Sequence, residues 1–154
     1  MWNRKMSTTL SIAVCSAVSA AMLAALFAMP FLFDAYYEGY RRITDAELLR
    51  NMKTAFIICF YPSEVFGGIA MYSLIRLLIN IRRDNTFIRK NVLYLFTISW
   101  CCFAVAVICL AGGFRYIPML VIAVASAFMG VILRVVKNVM QSAVELQQEN
   151  DLTI

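Results

Sequence analysis

Four long apolar stretches constrain the fold of this chain more than any other feature. They cover about residues 10–33, 54–79, 92–111 and 116–136. A helix of about 20 apolar residues crosses a hydrocarbon core about 30 Å thick. Because lipid offers no hydrogen bonds to a polar backbone, a helix is the form each stretch should take. The sequence predicts an all-α integral membrane protein, a four-transmembrane-helix bundle.

The composition supports a membrane protein with one domain. Of the 154 residues, 62% are hydrophobic and only 15% are charged, whereas soluble domains average about 45–50% and about 25%. Four spans leave no room for a separate soluble catalytic domain. We therefore expect a transmembrane domain over residues 1–136, followed by a tail over residues 137–154.

The distribution of Lys and Arg predicts the orientation in the membrane. Nine of them fall on one side: Arg4, Lys5, Arg76, Arg82, Arg83, Arg89, Lys90, Arg134 and Lys137. Five fall on the other: Arg41, Arg42, Arg50, Lys53 and Arg115. The positive-inside rule then makes both termini and the 80–91 loop cytoplasmic. An external loop should cover residues 34–53, where Thr44 and Glu47 are spaced as a helix capping box.

Four basic residues within the 80–91 loop form what we call the basic collar: Arg82, Arg83, Arg89 and Lys90. Such a collar fixes the orientation of the spans, and it can also hold anionic lipid headgroups. The net charge of +5 is spread between apolar stretches rather than gathered on a soluble module. We therefore expect the lipid bilayer as the partner of these charges, with no direct nucleic acid binding.

The residue types give no support for an enzyme. The chain has five cysteines, all inside apolar stretches and without CxxC spacing, and it has no histidine. A typical zinc or haem site needs such ligands. No pair of acids or nucleophile with a base is visible either. We expect no catalytic residue, no metal and no cofactor.

Glu64 is the ionisable residue that needs an explanation, since it lies about 13 Å inside the second span. Charged side chains at this depth normally face protein or water. Pro62 removes one backbone hydrogen bond nearby, and its freed carbonyl could line the same cavity. One interpretation is a site for a proton, a cation or a polar ligand. The other is a structural acid, hydrogen-bonded to a serine of similar depth: Ser16, Ser19, Ser99 or Ser126.

The tail has the pattern of an amphipathic helix. No Gly or Pro follows Gly130, so the fourth span should continue as a helix to about Gln147. Its apolar side should carry Val139, Met140, Ala143 and Leu146. This side could lie on the lipid surface, pack under the bundle, or bind another protein.

The tail also carries a resemblance to a known family. The closing residues 148–154, the preceding helix with Ala143 and Leu146, and the loop over 85–91 resemble the small bacterial membrane proteins catalogued as domain of unknown function 2975. The resemblance implies four membrane helices and no assigned enzymatic activity. It also implies a link to a small helix-turn-helix regulator, whose gene often lies beside genes of this kind.

Two functional hypotheses follow from these features. In the first, the protein is a non-enzymatic sensing or regulatory module, whose tail engages a cytoplasmic partner such as a helix-turn-helix regulator. The partner-binding residues would be Val139, Met140, Ala143, Leu146, Glu149, Asn150 and Asp151. In the second, it is a small transporter or immunity-type protein that binds a substrate in the membrane, at a polar site of Glu64, Pro62 and Ser99. A transporter of this size generally needs two copies, so this hypothesis predicts a homo-oligomer.

Overall fold

The protein is all-helical in the computed structural model, which describes residues 4–40, 46–83, 86–114 and 117–151. The four helices are α1 (Arg4–Tyr40), α2 (Ala46–Arg82), α3 (Arg89–Gly113) and α4 (Pro118–Asp151). Each is long and apolar enough to cross a membrane. The predicted all-α fold with four candidate spans is confirmed, and the described ranges contain no strand.

Three of the helices are much longer than a bilayer is thick. Helices α1 and α2 have 37 residues each and α4 has 34, or about 50–55 Å against a core of about 30 Å. Helix α1 continues to Tyr40 and α2 begins at Ala46, so both helices extend into the predicted external loop over residues 34–53. Polar residues extend both helices beyond their apolar stretches. Residues 41–45, including Thr44 of the predicted capping box, lie outside the described residues.

The helices pack in the order of the chain. Helix α1 packs on α2, α2 on α3, and α3 on α4. Across the described ranges, no other pair of helices comes into close backbone contact. The connections from α2 to α3 and from α3 to α4 are only a few residues long, which makes the helices on either side antiparallel neighbours. The arrangement is therefore an open row, with α2 and α3 in the middle.

The core is centred on α3. The buried apolar residues are Cys59, Leu77, Val92, Leu95, Ile98, Cys101, Ala106, Cys109, Met119, Ala123 and Val144. Most of them belong to α3, which has a neighbour on each side. Residues 6–32 of α1 include no buried residue. The many exposed apolar side chains of the row are suited to contact with lipid.

Small residues bring α3 and α4 close together. The hydroxyl of Ser99, which is 1% exposed, donates a 2.9 Å hydrogen bond to the carbonyl of Gly130. A Cβ atom at Gly130 would lie 3.1 Å from the ring of Phe103. Glycine and serine allow such close approach between membrane helices. This contact fixes the register of α4 against α3.

Two asparagines, which we call the asparagine clamp, hold the turn between α2 and α3. Asn91 is fully buried, and its amide nitrogen donates to the carbonyl of Thr86 at 2.8 Å. Its amide oxygen accepts a 2.8 Å hydrogen bond from the side chain of Asn80. The clamp therefore joins the end of α2, the turn and the start of α3.

Candidate functional site

A groove between α1 and α2 contains Glu64. It has a volume of about 440 Å³, within the range of about 300–1,000 Å³ that is usual for small-molecule sites. Glu64 is half-buried, and it is the one charged side chain among the described residues that line the groove. The lining residues are Ser19, Met22, Leu23 and Leu26 from α1 and Glu64, Val65, Gly68, Met71, Tyr72 and Ile75 from α2.

The α2 wall of the groove follows one helix face. Glu64, Gly68, Tyr72 and Arg76 are spaced four residues apart, so they lie in one row along α2. A Cβ atom at Gly68 would meet nothing within 4 Å, which leaves the groove open beside Glu64. Further along, Arg76 Nε donates to the Tyr72 hydroxyl at 3.0 Å, and its guanidinium lies 5.5 Å from the Tyr72 ring centre. These four residues extend from the acidic Glu64 to the basic Arg76 over about 18 Å of α2.

The structure separates the residues of the predicted intramembrane polar site. Ser19 lines the groove with Glu64, but its hydroxyl donates to the carbonyl of Cys15 at 2.8 Å. Ser99 is on α3 and donates to Gly130 instead. Pro62 is exposed within a continuous α2 and does not line the groove. Of the residues predicted to lie near Glu64, Ser19 therefore lines the groove, whereas Ser99 and Pro62 do not.

The basic collar lies around the asparagine clamp. Arg82 and Arg83 are exposed at the end of α2, and Arg89 and Lys90 are exposed at the start of α3. The hydrogen bond from Asn80 to Asn91 ties these two helix ends together. Four bases that are separate in the sequence are therefore gathered at one end of the row.

The predicted apolar side of the tail is divided in the structure. Val139 and Leu146 are 67% and 62% exposed, while Met140 and Ala143 are half-buried. The buried residue is Val144, which the predicted stripe does not include; it is 3% exposed.

The register of α3 and α4 explains why Val144 is buried. Ser99 bonds to Gly130, and 14 residues onward from Gly130 is Val144. Going back from Ser99 along the antiparallel partner leads toward the start of α3 at Arg89. Near this end of α3, Val144 is buried while Val139 and Leu146 are exposed. Of the predicted terminal residues, Glu149 and Asn150 are exposed and Asp151 ends α4.

The environment of Arg134 was not predicted from the sequence, where this residue was interpreted only as a topology signal. Its guanidinium carbon lies 5.7, 5.1 and 5.7 Å from the ring centres of Phe96, Trp100 and Phe103 on α3. We call these three rings the aromatic box. They are spaced as i, i+4 and i+7, which places them on one face of α3. That spacing, with an arginine ending the fourth apolar stretch, is the signal that could have revealed the site.

The comparisons with known proteins identify a family. A family model described as "Protein of unknown function (DUF2975)" matches residues 43–154, which is 112 of the 154 residues. The match takes in α2, α3 and α4 and leaves out α1. No curated protein and no solved structure matches the chain. The resemblance in the tail and loop is confirmed, and the chain belongs to the DUF2975 family.

Proposed function

We propose that this protein is a non-enzymatic regulatory module of the bacterial cell membrane, and that the end of α4 binds a cytoplasmic protein. The observation that carries the proposal is the open apolar face of Val139 and Leu146. The excess of Lys and Arg around the α2–α3 turn supports a cytoplasmic location for that end and for both termini. A helix-turn-helix regulator is the partner class that family resemblance favours.

The length of α4 supports a projection beyond the membrane. Starting from Pro118, about 20 residues of helix fill a hydrocarbon core about 30 Å thick, which ends near residue 138. The helix continues without a break to Asp151. A continuous helix carries residues 139–151 about 18 Å further along the same axis, rather than laying them on the lipid surface.

Side-chain hydrogen bonds support a helical tail in water. Lys137 Nζ donates to Gln141 Oε1 at 2.6 Å, and Gln141 Nε2 donates to Glu145 Oε1 at 3.0 Å. Such pairs four residues apart each stabilise an exposed helix by about 0.2–0.5 kcal/mol. These hydrogen-bonded side chains lie on a different side of α4 from Val139 and Leu146. They therefore stabilise the helix that carries the exposed apolar pair without covering it.

Val139 and Leu146 are suited to contact with a partner helix. They are seven residues apart, or two helical turns, so they lie on one face about 10 Å from each other. An exposed apolar pair beyond the membrane core gains free energy when a partner covers it. Recognition of one amphipathic helix by another uses anchors at this spacing.

The proposal can be tested with the full-length protein and a small helix-turn-helix regulator of the kind whose genes the family resemblance places beside genes like this one. We expect the double change Val139→Ser and Leu146→Ser to weaken their binding about tenfold or more, as the loss of two apolar anchors does. The measurement is a two-hybrid signal in bacterial membranes, confirmed by co-purification in detergent.

A matched control separates partner binding from general damage to α4. Val124 and Val131 are also seven residues apart and exposed, at 68% and 52%, but they lie within the span. The double change Val124→Ser and Val131→Ser should leave binding unaltered. Equal binding by the tail variant and the native protein would contradict the proposal, as would equal loss in both variants.

The groove at Glu64 favours a second candidate function, a small transporter or immunity-type protein that binds a lipophilic cationic substrate. Gly68→Leu should fill the groove, and Glu64→Gln should remove its charge. We expect both changes to abolish binding of ethidium, used as a lipophilic cationic probe, while the tail still binds its partner. Ethidium binding that is equal in the native protein and in both variants would remove this candidate. Crosslinking should also detect a dimer.

A further inference from the structure

We propose that Arg134 and the aromatic box form a binding site for the phosphate of an anionic phospholipid, at the end of the row that carries the basic collar. The proposal does not depend on the tail or on its partner. It concerns the interface between α3 and α4, a different part of the molecule from the Glu64 groove.

The position of Arg134 places its charge below the membrane surface. Arg134 is 16 residues after Pro118, so its Cα lies about 24 Å into a core of about 30 Å. Helical side chains lean toward the N-terminus of their helix, which here directs Arg134 deeper rather than outward. On α3, Phe96 is six residues past Lys90, or about 9 Å inward from the basic collar. The guanidinium therefore lies within the hydrocarbon region.

The aromatic box holds the guanidinium at that depth. An arginine near the end of a membrane helix ordinarily extends toward the headgroups. Here three ring faces surround it at 5.1–5.7 Å, which is within the range of cation–π attraction. Phe96 and Phe103 also contact Trp100 edge-on, with ring centres 6.1 and 6.3 Å apart. The three rings therefore contact one another in sequence along α3, with Phe96 and Trp100 also 41% and 53% exposed.

The aromatic rings leave the hydrogen-bonding capacity of Arg134 unused. Its Nε and Nη2 atoms are buried and have no hydrogen-bond acceptor within the described chain. No carboxylate of the described residues pairs with it. Unsatisfied donors are costly in a medium of low polarity. Nη1 is not one of these buried atoms, and the side chain as a whole is half-buried, so an acceptor from outside the chain can reach the guanidinium at Nη1.

A lipid phosphate matches these requirements. A guanidinium presents a planar fork of donors that suits phosphate oxygens. A phospholipid carries its phosphate at the edge of the hydrocarbon, and the bilayer thins locally around an intramembrane arginine, which brings that phosphate within reach of the guanidinium. Arg89 and Lys90 lie between this site and the surface, so the local potential favours lipids with a net negative charge. Basic pockets between membrane helices bind anionic headgroups in this way.

The experiment uses Trp100 as a reporter, because it belongs to the box. The chain has two tryptophans; Trp2, which lies outside the described residues, is replaced by Phe in the full-length protein. This protein is reconstituted in two preparations of phosphatidylcholine vesicles. One contains brominated phosphatidylglycerol, and the other contains the same fraction of brominated phosphatidylcholine. We expect the anionic lipid to quench Trp100 fluorescence about twofold or more strongly. Unbrominated phosphatidylglycerol should reverse the difference, and soluble inorganic phosphate should not.

Variants test whether Arg134 is responsible. Arg134→Gln should abolish the preference for the anionic lipid, and Arg134→Lys, which keeps the charge but loses the fork, should weaken it. Arg83→Gln removes one collar charge away from the box and should preserve the preference. Helical content by circular dichroism identifies a variant that fails to fold. If Arg134→Gln fails to fold, the proposal is tested by comparing the lipid preference of the native protein with that of Arg134→Lys. Equal quenching by both lipids in the native protein, a preference that survives in Arg134→Gln, or reversal by inorganic phosphate would overturn the proposal.

Discussion

Asn91 shows at the residue scale how a membrane protein uses a buried polar group. Its side chain is fully buried, with its amide oxygen and nitrogen bonded to Asn80 and to the carbonyl of Thr86. A satisfied amide in an apolar setting stabilises one arrangement, because every alternative leaves it without partners. The asparagine clamp therefore fixes where α2 ends and α3 begins.

We predict that Asn91→Ala lowers the free energy of unfolding by about 1–3 kcal/mol, since it leaves the Asn80 amide and the Thr86 carbonyl without their partner. Denaturation in detergent micelles, followed by circular dichroism, measures the change. Asn138→Ala is the matched control, because Asn138 is exposed; its effect should stay within about 0.5 kcal/mol. Similar stability of Asn91→Ala and the native protein would disprove a structural role for the clamp.

At the scale of helices, the two outer pairs of the row differ in how closely they pack. Gly130 on α4 touches the ring of Phe103 on α3, so the helices meet without space for a side chain. Gly68 on α2 faces the open groove beside α1. Glycine therefore serves close packing at Gly130 and leaves a cavity at Gly68.

This difference predicts opposite responses to the same substitution. Gly130→Leu should destabilise the protein by about 1–3 kcal/mol, because the new side chain has to displace Phe103. Gly68→Leu should not destabilise it, since the groove has room and leucine favours a helix over glycine by up to about 1 kcal/mol. Thermal unfolding of the two variants in the same detergent measures both effects. An equal loss in both would show that the groove is closed in the folded protein.

The helices and their order could be predicted from the sequence, and the contacts between them could not. Hydropathy identifies the four spans, and the lack of Gly or Pro after Gly130 correctly predicts a long α4. The spacing of apolar residues does not fix the rotation of α4 about its axis relative to α3, because apolar residues lie on most sides of α4. The contact between Ser99 and Gly130 decides that rotation, and with it the burial of Val144 and the position of Arg134 in the aromatic box. Likewise, hydropathy located Glu64 in depth but could not show that it faces α1.

For the molecule as a whole, the open row gives α1 a separate position. Helix α1 packs on α2 along one side, and the family match begins after it, at residue 43. Near the ends of these helices Lys53 forms an exposed ion pair with Asp34, which contributes at most about 1 kcal/mol. The more closely packed unit is therefore α2 to α4, with α1 as a flanking helix.

The orientation of the whole molecule gives a further prediction. The excess of Lys and Arg at the α2–α3 turn predicts that both termini are cytoplasmic. Green fluorescent protein fused to either terminus should fluoresce, and alkaline phosphatase inserted within residues 41–45 should be active. The same phosphatase inserted within residues 84–85 should be inactive. Phosphatase activity at either terminus would contradict this topology.

The continuity of α4 also has a mechanical consequence. Gly130, held by Ser99, acts as a pivot, and the arm from Gly130 to Asp151 is about 32 Å long. If the span tilts by about 10°, as a helix does when the bilayer changes thickness, the end of this lever moves sideways by about 5–6 Å. That displacement exceeds the width of a side-chain contact. Such a tilt would move Leu146 with no rearrangement inside the helix itself.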